Sequence, residues 1–229
     1  MSEPNHPIRV MIVDDDPFVQ EALKLLLEHS PGLELAGLAS TGIDAVRTFE
    51  NYAPDVILLD LQMPGMDGLA TLDAFSKLGT LDLPRIIVLT SYAKDSDVFS
   101  ALRAGASGFL LKDTEPAGIA EAIRTVHDGQ ALLSPAVTTQ LIREYRYSQR
   151  RVPATAELSP EFNDMTEREI QVARAVAQGK SNSDIAAELF MSVSTVKTNV
   201  SRIMIKLGVA NRVQLALIFH GVHAVDHSL

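Results

Sequence analysis

Five short apolar runs recur in the first half of the chain, and each ends at or beside a polar residue. They are Ile8 to Val13, Leu33 to Ala39, Val56 to Leu59, Ile86 to Thr90 and Gly108 to Leu111. Runs this short, rich in branched residues, read as strands. Val56-Ile57-Leu58-Leu59 has no polar alternation, so it reads as a strand buried on both faces, as in a parallel sheet. The segments between the runs carry helical spacing. Asp16 and Pro17 open a helix with apolar Val19, Leu23, Leu26 and Leu27, Asp16 as its cap. Thr41 opens the next in capping-box style with Asp44, to about Tyr52. Further helices are expected from Gly68 to Leu78, through Val98 to Ala104 with a stop at Gly105, and from Pro116 to His127. Strands alternating with helices define a parallel sheet covered on both sides.

The second half has helical patterns only. Ser134 to about Tyr147 reads as one helix, and Ser148 to Phe162, with its basic pairs and prolines, as a flexible tether. Thr166 and Glu169 form a capping box before Ile170, Val172, Ala173 and Val176, and Gly179 closes that helix. Ser181 with Asp184 caps another. Phe190 to Val193 reads as a short turn, Ser194 to Leu207 as the following helix, and Asn211 as the cap of a last one. Two short helices across a tight turn describe a helix-turn-helix. Its second helix would bury Val196, Val200, Ile203 and Leu207. Its other faces carry Thr195, Lys197, Thr198, Asn199, Ser201 and Arg202, donors of the type that reads base edges and phosphates.

Candidate chemistry gathers at the strand ends. Asp14-Asp15, Asp60, Thr90 and Lys112 follow or terminate successive apolar runs, and ligands of open parallel sheets bind outside the carboxyl ends of the strands. Carboxylates crowded in one cleft must protonate or bind a cation. With oxygen ligands only, Mg²⁺ suits them. A carboxylate beside Mg²⁺ can attack a phosphoryl group; Lys112 supplies a point charge and Thr90 a hydroxyl donor.

Composition sharpens this picture in three ways. The absence of cysteine rules out disulfides and thiolate metal sites. The N-terminus, Met1 to Pro7, lacks an apolar signal core, and no run is long enough to span a membrane, so a soluble cytoplasmic protein is expected. The net charge of −9 is uneven: residues 1–126 hold 9 Lys+Arg against 19 Asp+Glu, whereas residues 161–229 hold 7 of each. From Phe190 to Val225 there are four cations (Lys197, Arg202, Lys206, Arg212) and no acid, a bias that permits phosphate contacts.

Residues from about Ile8 to His127 resemble a bacterial response-regulator receiver domain. The resemblance is carried by Val13-Asp14-Asp15, by Leu59 to Gly68 (Asp60, Gln62, Met63, Pro64, Gly65, Asp67), by Leu89-Thr90-Ser91, and by Ala104 to Lys112. It implies a flavodoxin-like α/β fold, a doubly wound five-stranded parallel sheet. It further implies that Asp60 accepts a phosphoryl group from a sensor histidine kinase. Asp15, Asp60 and the Gln62 backbone carbonyl would hold Mg²⁺, with Asp14 acting through water. Thr90 and Lys112 would sense the phosphoryl group, and Phe109 would be the switch aromatic. Asp16 stands where many relatives carry histidine.

Met165 to about Val225 resembles the all-α, four-helix LuxR-type helix-turn-helix domain of NarL/FixJ regulators. The matching pieces are Met165 to Glu169, Gly179 to Ala186, Ser194 to Val200 and Lys206 to Arg212. By that resemblance Lys197, Thr198 and Ser201 face bases, and Lys180, Thr195 and Arg202 face the DNA backbone. Asn199 replaces a commonly seen histidine and would alter operator preference. The implied organisation is a receiver over 7–128, a linker with one helix and a flexible tether over 129–161, and a DNA-binding domain over 162–227. The implied function is a transcriptional regulator, without a catalytic residue of its own, in which phosphorylation of Asp60 promotes homodimerisation, release of the recognition helix for operator DNA, or both. An aspartate-nucleophile phosphatase using Asp14 is the enzymatic alternative, and a receiver that is never phosphorylated is the third reading. Ser91-x-x-Lys94 lacks the companion motifs of acyl enzymes. His220, His223 and His227 lack a supporting carboxylate and read as a fraying terminus.

Overall fold

The computed structural model describes residues 6–78, 84–91, 95–130, 165–209 and 211–226. The expected helix from Ser134 and the tether after it lie outside the described residues. The chain divides into two compact units, Met1–His127 with Leu132–Ser134, and Asp128–Ala131 with Pro135–Leu229.

The first unit alternates β1 (Ile8–Val13), α1 (Pro17–Glu28), β2 (Leu33–Ala39), α2 (Gly42–Tyr52), β3 (Val56–Leu59), α3 (Gly68–Ser76), β4 (Arg85–Thr90), α4 (Asp95–Arg103), β5 (Gly108–Leu111) and α5 (Pro116–His127). All strand pairs are parallel, in the order β2-β1-β3-β4-β5. This is the doubly wound, flavodoxin-like order, which reverses direction between β1 and β3. Every residue of β3 is buried, as its unbroken apolar run requires. Alternate strand residues Val10, Ile12, Val56, Leu58, Ile87 and Leu89 pack with Leu23 and Leu27 of α1 and with Ile119, Ile123 and Val126 of α5. The intervening residues Met11, Val13, Ile57, Leu59, Ile86 and Val88 are also buried and point to the other face. Phe49 of α2 meets Phe75 of α3 edge-on, with ring centroids 5.2 Å apart. Each such buried side chain contributes about 1.5–3 kcal/mol, and together they fix the sheet as a rigid platform.

The second unit contains α6 (Glu167–Ala177), α7 (Asn182–Glu188), α8 (Val193–Lys206) and α9 (Arg212–Asp226). Val172, Ala173, Val176, Ile185, Val196, Val200, Ile203, Leu207, Leu215 and Phe219 share its core. Thr166 and Ser181 both make full capping boxes, with Glu169 and Asp184. Asn211 accepts the Gln214 N–H at 2.8 Å and so caps α9.

Three local expectations need correction. The helix expected from Ser194 begins at Val193, because the Ser192 hydroxyl accepts the Thr195 N–H at 3.1 Å and becomes the cap. The turn is correspondingly shorter, and Phe190 takes a positive φ of 53° within it. The helix expected to reach Leu78 stops at Ser76. At α2 the capping box is half made: Thr41 accepts the Asp44 N–H, but the Asp44 carboxylate takes the Thr41 hydroxyl instead of its backbone N–H.

Candidate functional site: an acidic pocket at the strand ends and the polar face of a helix

The sheet delivers Asp14, Asp60, Thr90 and Lys112 to its carboxyl edge. β1 and β3 run in register to Val13 and Leu59, so the next residues, Asp14 and Asp60, emerge side by side. Backbone bonds extend the ladders past the strand ends: Asp14 N–H to the Ala39 carbonyl (3.1 Å), Asp60 N–H to the Val13 carbonyl (2.9 Å) and Lys112 N–H to the Thr90 carbonyl (2.8 Å). Carboxylate oxygens of Asp14, Asp15 and Asp60 all lie within 4.8 Å of one another. Asp14 and Asp60 are buried and Asp15 is exposed, so the cluster opens to solvent on one side.

Lys112 is the counter-ion. Its Nζ lies 2.7 Å from Asp14 Oδ2 and 2.9 Å from Asp60 Oδ2. Burial raises the Asp14 pKa above 3.8, although its bonds from Lys112 and from the Asp16 N–H pull the other way. Burial works against the Lys112 ammonium, but the two carboxylates outweigh it and lift its pKa above 10.5. One lysine therefore serves two buried acids, and the pocket keeps an excess of negative charge that a divalent cation would neutralise. Three hard oxygen donors without thiolate or imidazole suit Mg²⁺.

The turn after Asp60 is built for close approach. The Gln62 N–H donates to Asp60 Oδ1 at 3.2 Å, and Gly65 adopts a φ of +80°, which glycine allows without a side-chain clash. At Gly68 a Cβ would fall 2.3 Å from the Asp60 carbonyl oxygen and 2.6 Å from Leu61 Cα. Glycine thus lets α3 start directly against Asp60 and Leu61. Thr90 is fully buried at the end of β4, and Phe109 is buried in register with Val88.

In the second unit, Thr195, Thr198 and Arg202 are exposed along α8, while Lys197, Asn199 and Ser201 are half-buried. Several of the expected readers are engaged within the unit. Thr198 Oγ1 donates to the Ser194 carbonyl (3.0 Å), and the Asn199 amide donates to the Thr195 carbonyl (2.8 Å). Lys180 pairs with Glu188 at 2.5 Å, and Lys197 with Asp128 at 2.9 Å. The buried amide of Asn182 donates to the Asp128 carbonyl (2.5 Å), and Arg212 donates to Asn182 Oδ1 (2.8 Å) and to the Gly129 carbonyl (3.4 Å). Asp128, Gly129 and Asn182 carried no signal in the sequence as partners of Lys197 and Arg212, since the pairs are far apart in the chain.

A five-stranded parallel receiver sheet with an acidic edge, followed by a helix-turn-helix unit, defines a class, and the comparisons agree. Residues 10–124 match the response regulator receiver domain and residues 163–219 the bacterial regulatory proteins of the luxR family. The chain belongs to the two-component response regulators with a LuxR-type DNA-binding domain. It is 37% identical to the transcriptional regulatory protein LiaR of Bacillus subtilis, over 96% of this chain and 100% of LiaR. It is 40% identical to the nitrate/nitrite response regulator NarP of Escherichia coli, over 93% of this chain and 94% of NarP. Among solved structures, the response regulator ChrA of a heme-sensing two-component system covers 96% of this chain and 98% of its own, with 31% identity and a TM-score of 0.50. No helix among the described residues is long and apolar enough to cross a membrane.

Proposed function

We propose that Asp60 accepts a phosphoryl group from the phosphohistidine of a cognate sensor histidine kinase, and that this event controls operator binding by α8. The observation that carries the reading is the convergence of Asp14, Asp15, Asp60 and Lys112 at one edge of the sheet. Mg²⁺ held by Asp15, Asp60 and the Gln62 carbonyl, with Asp14 acting through water, would draw charge from the phosphoryl oxygens. An Asp60 carboxylate oxygen attacks phosphorus as the P–N bond breaks. The departing ring nitrogen keeps the electron pair, and the proton on the other ring nitrogen makes the leaving group a neutral imidazole. The product is an acyl phosphate on Asp60. Lys112 then exchanges its carboxylate contact for the phosphoryl oxygens, and the Thr90 hydroxyl donates to them. Phe109 follows Thr90, and its inward position rests on packing alone, because a phenyl ring has no donor. The protein stores the phosphoryl group as a signal and is not an enzyme.

The second unit supplies the output. Lys197, Thr198 and Ser201 face bases, Asn199 tunes operator preference, and Lys180, Thr195 and Arg202 face phosphates of double-stranded operator DNA. The phosphorylated receiver promotes homodimerisation, release of the recognition helix, or both. Within the second unit, the Lys197 ammonium must leave Asp128 before it can reach DNA. The functional organisation is a receiver over 7–128, a linker over 129–161 and a DNA-binding domain over 162–227. Kinase phosphohistidine and operator DNA both place the work in the cytoplasm, with no membrane partner.

Incubation of the full-length protein with acetyl phosphate and Mg²⁺, followed by mass mapping, tests the reading. Stable label on Asp60 is expected, and none on Asp60→Asn. Rapid turnover through Asp14 would instead identify a phosphatase, and no label beside normal operator binding would identify a receiver that works unphosphorylated.

A further inference from the structure

Gln20, on the first turn of α1, donates from its side-chain amide to three acceptors. They are the Asp14 carbonyl at 2.6 Å, the Ala39 carbonyl at 3.2 Å and the Ser40 hydroxyl at 3.1 Å. One half-buried side chain therefore ties the tip of β1 to the tip of β2, beside the acidic pocket. The first contact is the consequential one. The Asp14 carbonyl belongs to the peptide that joins Asp14 to Asp15, and a peptide unit is planar. Holding that oxygen holds the plane from which Asp15 departs. The Asp14 carboxylate has its own fastenings, Lys112 and the Asp16 N–H at 3.0 Å. Among the described residues, no hydrogen-bond donor holds the Asp15 carboxylate. Its aim depends on the backbone that carries it.

We infer that Gln20 is a positioning residue for the metal-binding acids: through the Asp14–Asp15 peptide it fixes the direction of the Asp15 carboxylate. The inference rests on the metal-assisted reading proposed above. It differs from a merely structural role in what it affects. A tie between two strand tips that only stiffens the fold would change stability and leave cation affinity alone. A tie that aims a ligand would weaken cation binding in a folded protein.

The test is Mg²⁺ affinity of the full-length protein by titration calorimetry, paired with the Mg²⁺ dependence of Asp60 labelling by acetyl phosphate. Gln20→Met removes both donors at similar length. The expected result is about a tenfold weaker Mg²⁺ Kd, with the labelling defect disappearing at saturating Mg²⁺. Gln20→Leu also lacks both donors and adds no charge, so the same loss is expected there, and it carries the test if the methionine variant does not fold. Wild-type affinity in the folded Met or Leu variant, or a labelling defect that saturating Mg²⁺ fails to relieve, overturns the inference. Failure of the wild-type protein to bind Mg²⁺ or to label at Asp60 overturns the underlying reading instead.

Discussion

Each unit sets buried acid against a lysine, one acid in the DNA-binding unit and two in the receiver, and the two arrangements behave in opposite ways. In the DNA-binding unit Glu169 Oε2 meets Lys206 at 2.8 Å and also takes the Thr166 N–H at 2.8 Å and its hydroxyl at 3.0 Å. The Lys206 bond, followed by the Thr166 N–H, holds the Glu169 carboxyl below 4.5. In the receiver Asp14 must share Lys112 with Asp60, and burial raises its pKa. The first acid is saturated with donors and closes a helix cap. The second is short of positive charge, in a pocket open at Asp15. A satisfied buried acid marks structure; one left wanting a cation marks a place where a ligand completes the electrostatics.

Gly68 offers the largest test of that contrast. Gly68→Ala would drive a methyl into the Asp60 carbonyl and Leu61 backbone, at a cost of about 3 kcal/mol. The expected outcome is an earlier thermal transition of the receiver with that of the second unit unmoved. Equal shifts in both transitions would show that the strain is not local to the acidic edge.

Glu169→Gln comes next. It removes a charged partner from Lys206 and is expected to destabilise the second unit by about 1–2 kcal/mol at neutral pH, the lower value reflecting the partial exposure of Lys206. The pH dependence sharpens the comparison. Because the folded Glu169 pKa is depressed, its stabilisation is present above 4.5 and is lost as pH falls through the folded value. Asp14 has the opposite sign: its raised pKa favours the metal-free fold below 3.8, and that contribution is lost as pH rises through the folded value. Denaturation in chelator should therefore show Glu169→Gln flattening the acid limb of the second unit, and Asp14→Asn raising receiver stability at neutral pH. The reverse pattern would mean that the two acids have been assigned the wrong roles.

Asp128→Ala has the smallest expected effect. The Lys197–Asp128 pair joins a half-buried lysine to an exposed aspartate, both side chains reaching solvent, and such pairs contribute up to about 1 kcal/mol. A gain of a few-fold in DNA affinity at matched salt is expected. Weaker binding would show that Asp128 supports the recognition helix instead of occupying it.

How far the chain could be read in advance follows the same divide. Unbroken apolar runs forced buried parallel strands, and a residue that ends such a strand has only one edge at which to appear, so Asp14, Asp60, Thr90 and Lys112 were legible. Caps at Asp16, Ser181 and Asn211 were legible too, because a cap and the N–H it serves are neighbours in sequence. The cap at Ser192, and with it a helix start one residue before Ser194, is not legible, because both hydroxyls precede the same apolar stripe and only backbone direction decides between them. Gln20, Asp128 and Asn182 were illegible for a different reason. Their partners are brought close by tertiary packing, and a glutamine on an amphipathic helix looks like any other solvated position.

The central claim is that phosphorus on Asp60 changes how α8 meets DNA. Its most direct test is the affinity of the full-length protein for a duplex selected by the protein itself from a random pool, measured with and without acetyl phosphate and Mg²⁺ at fixed salt. Wild-type protein should bind roughly tenfold tighter when phosphorylated, and Asp60→Asn should show no response. An equal response in both proteins, or none in a wild type shown to carry the label, would contradict it.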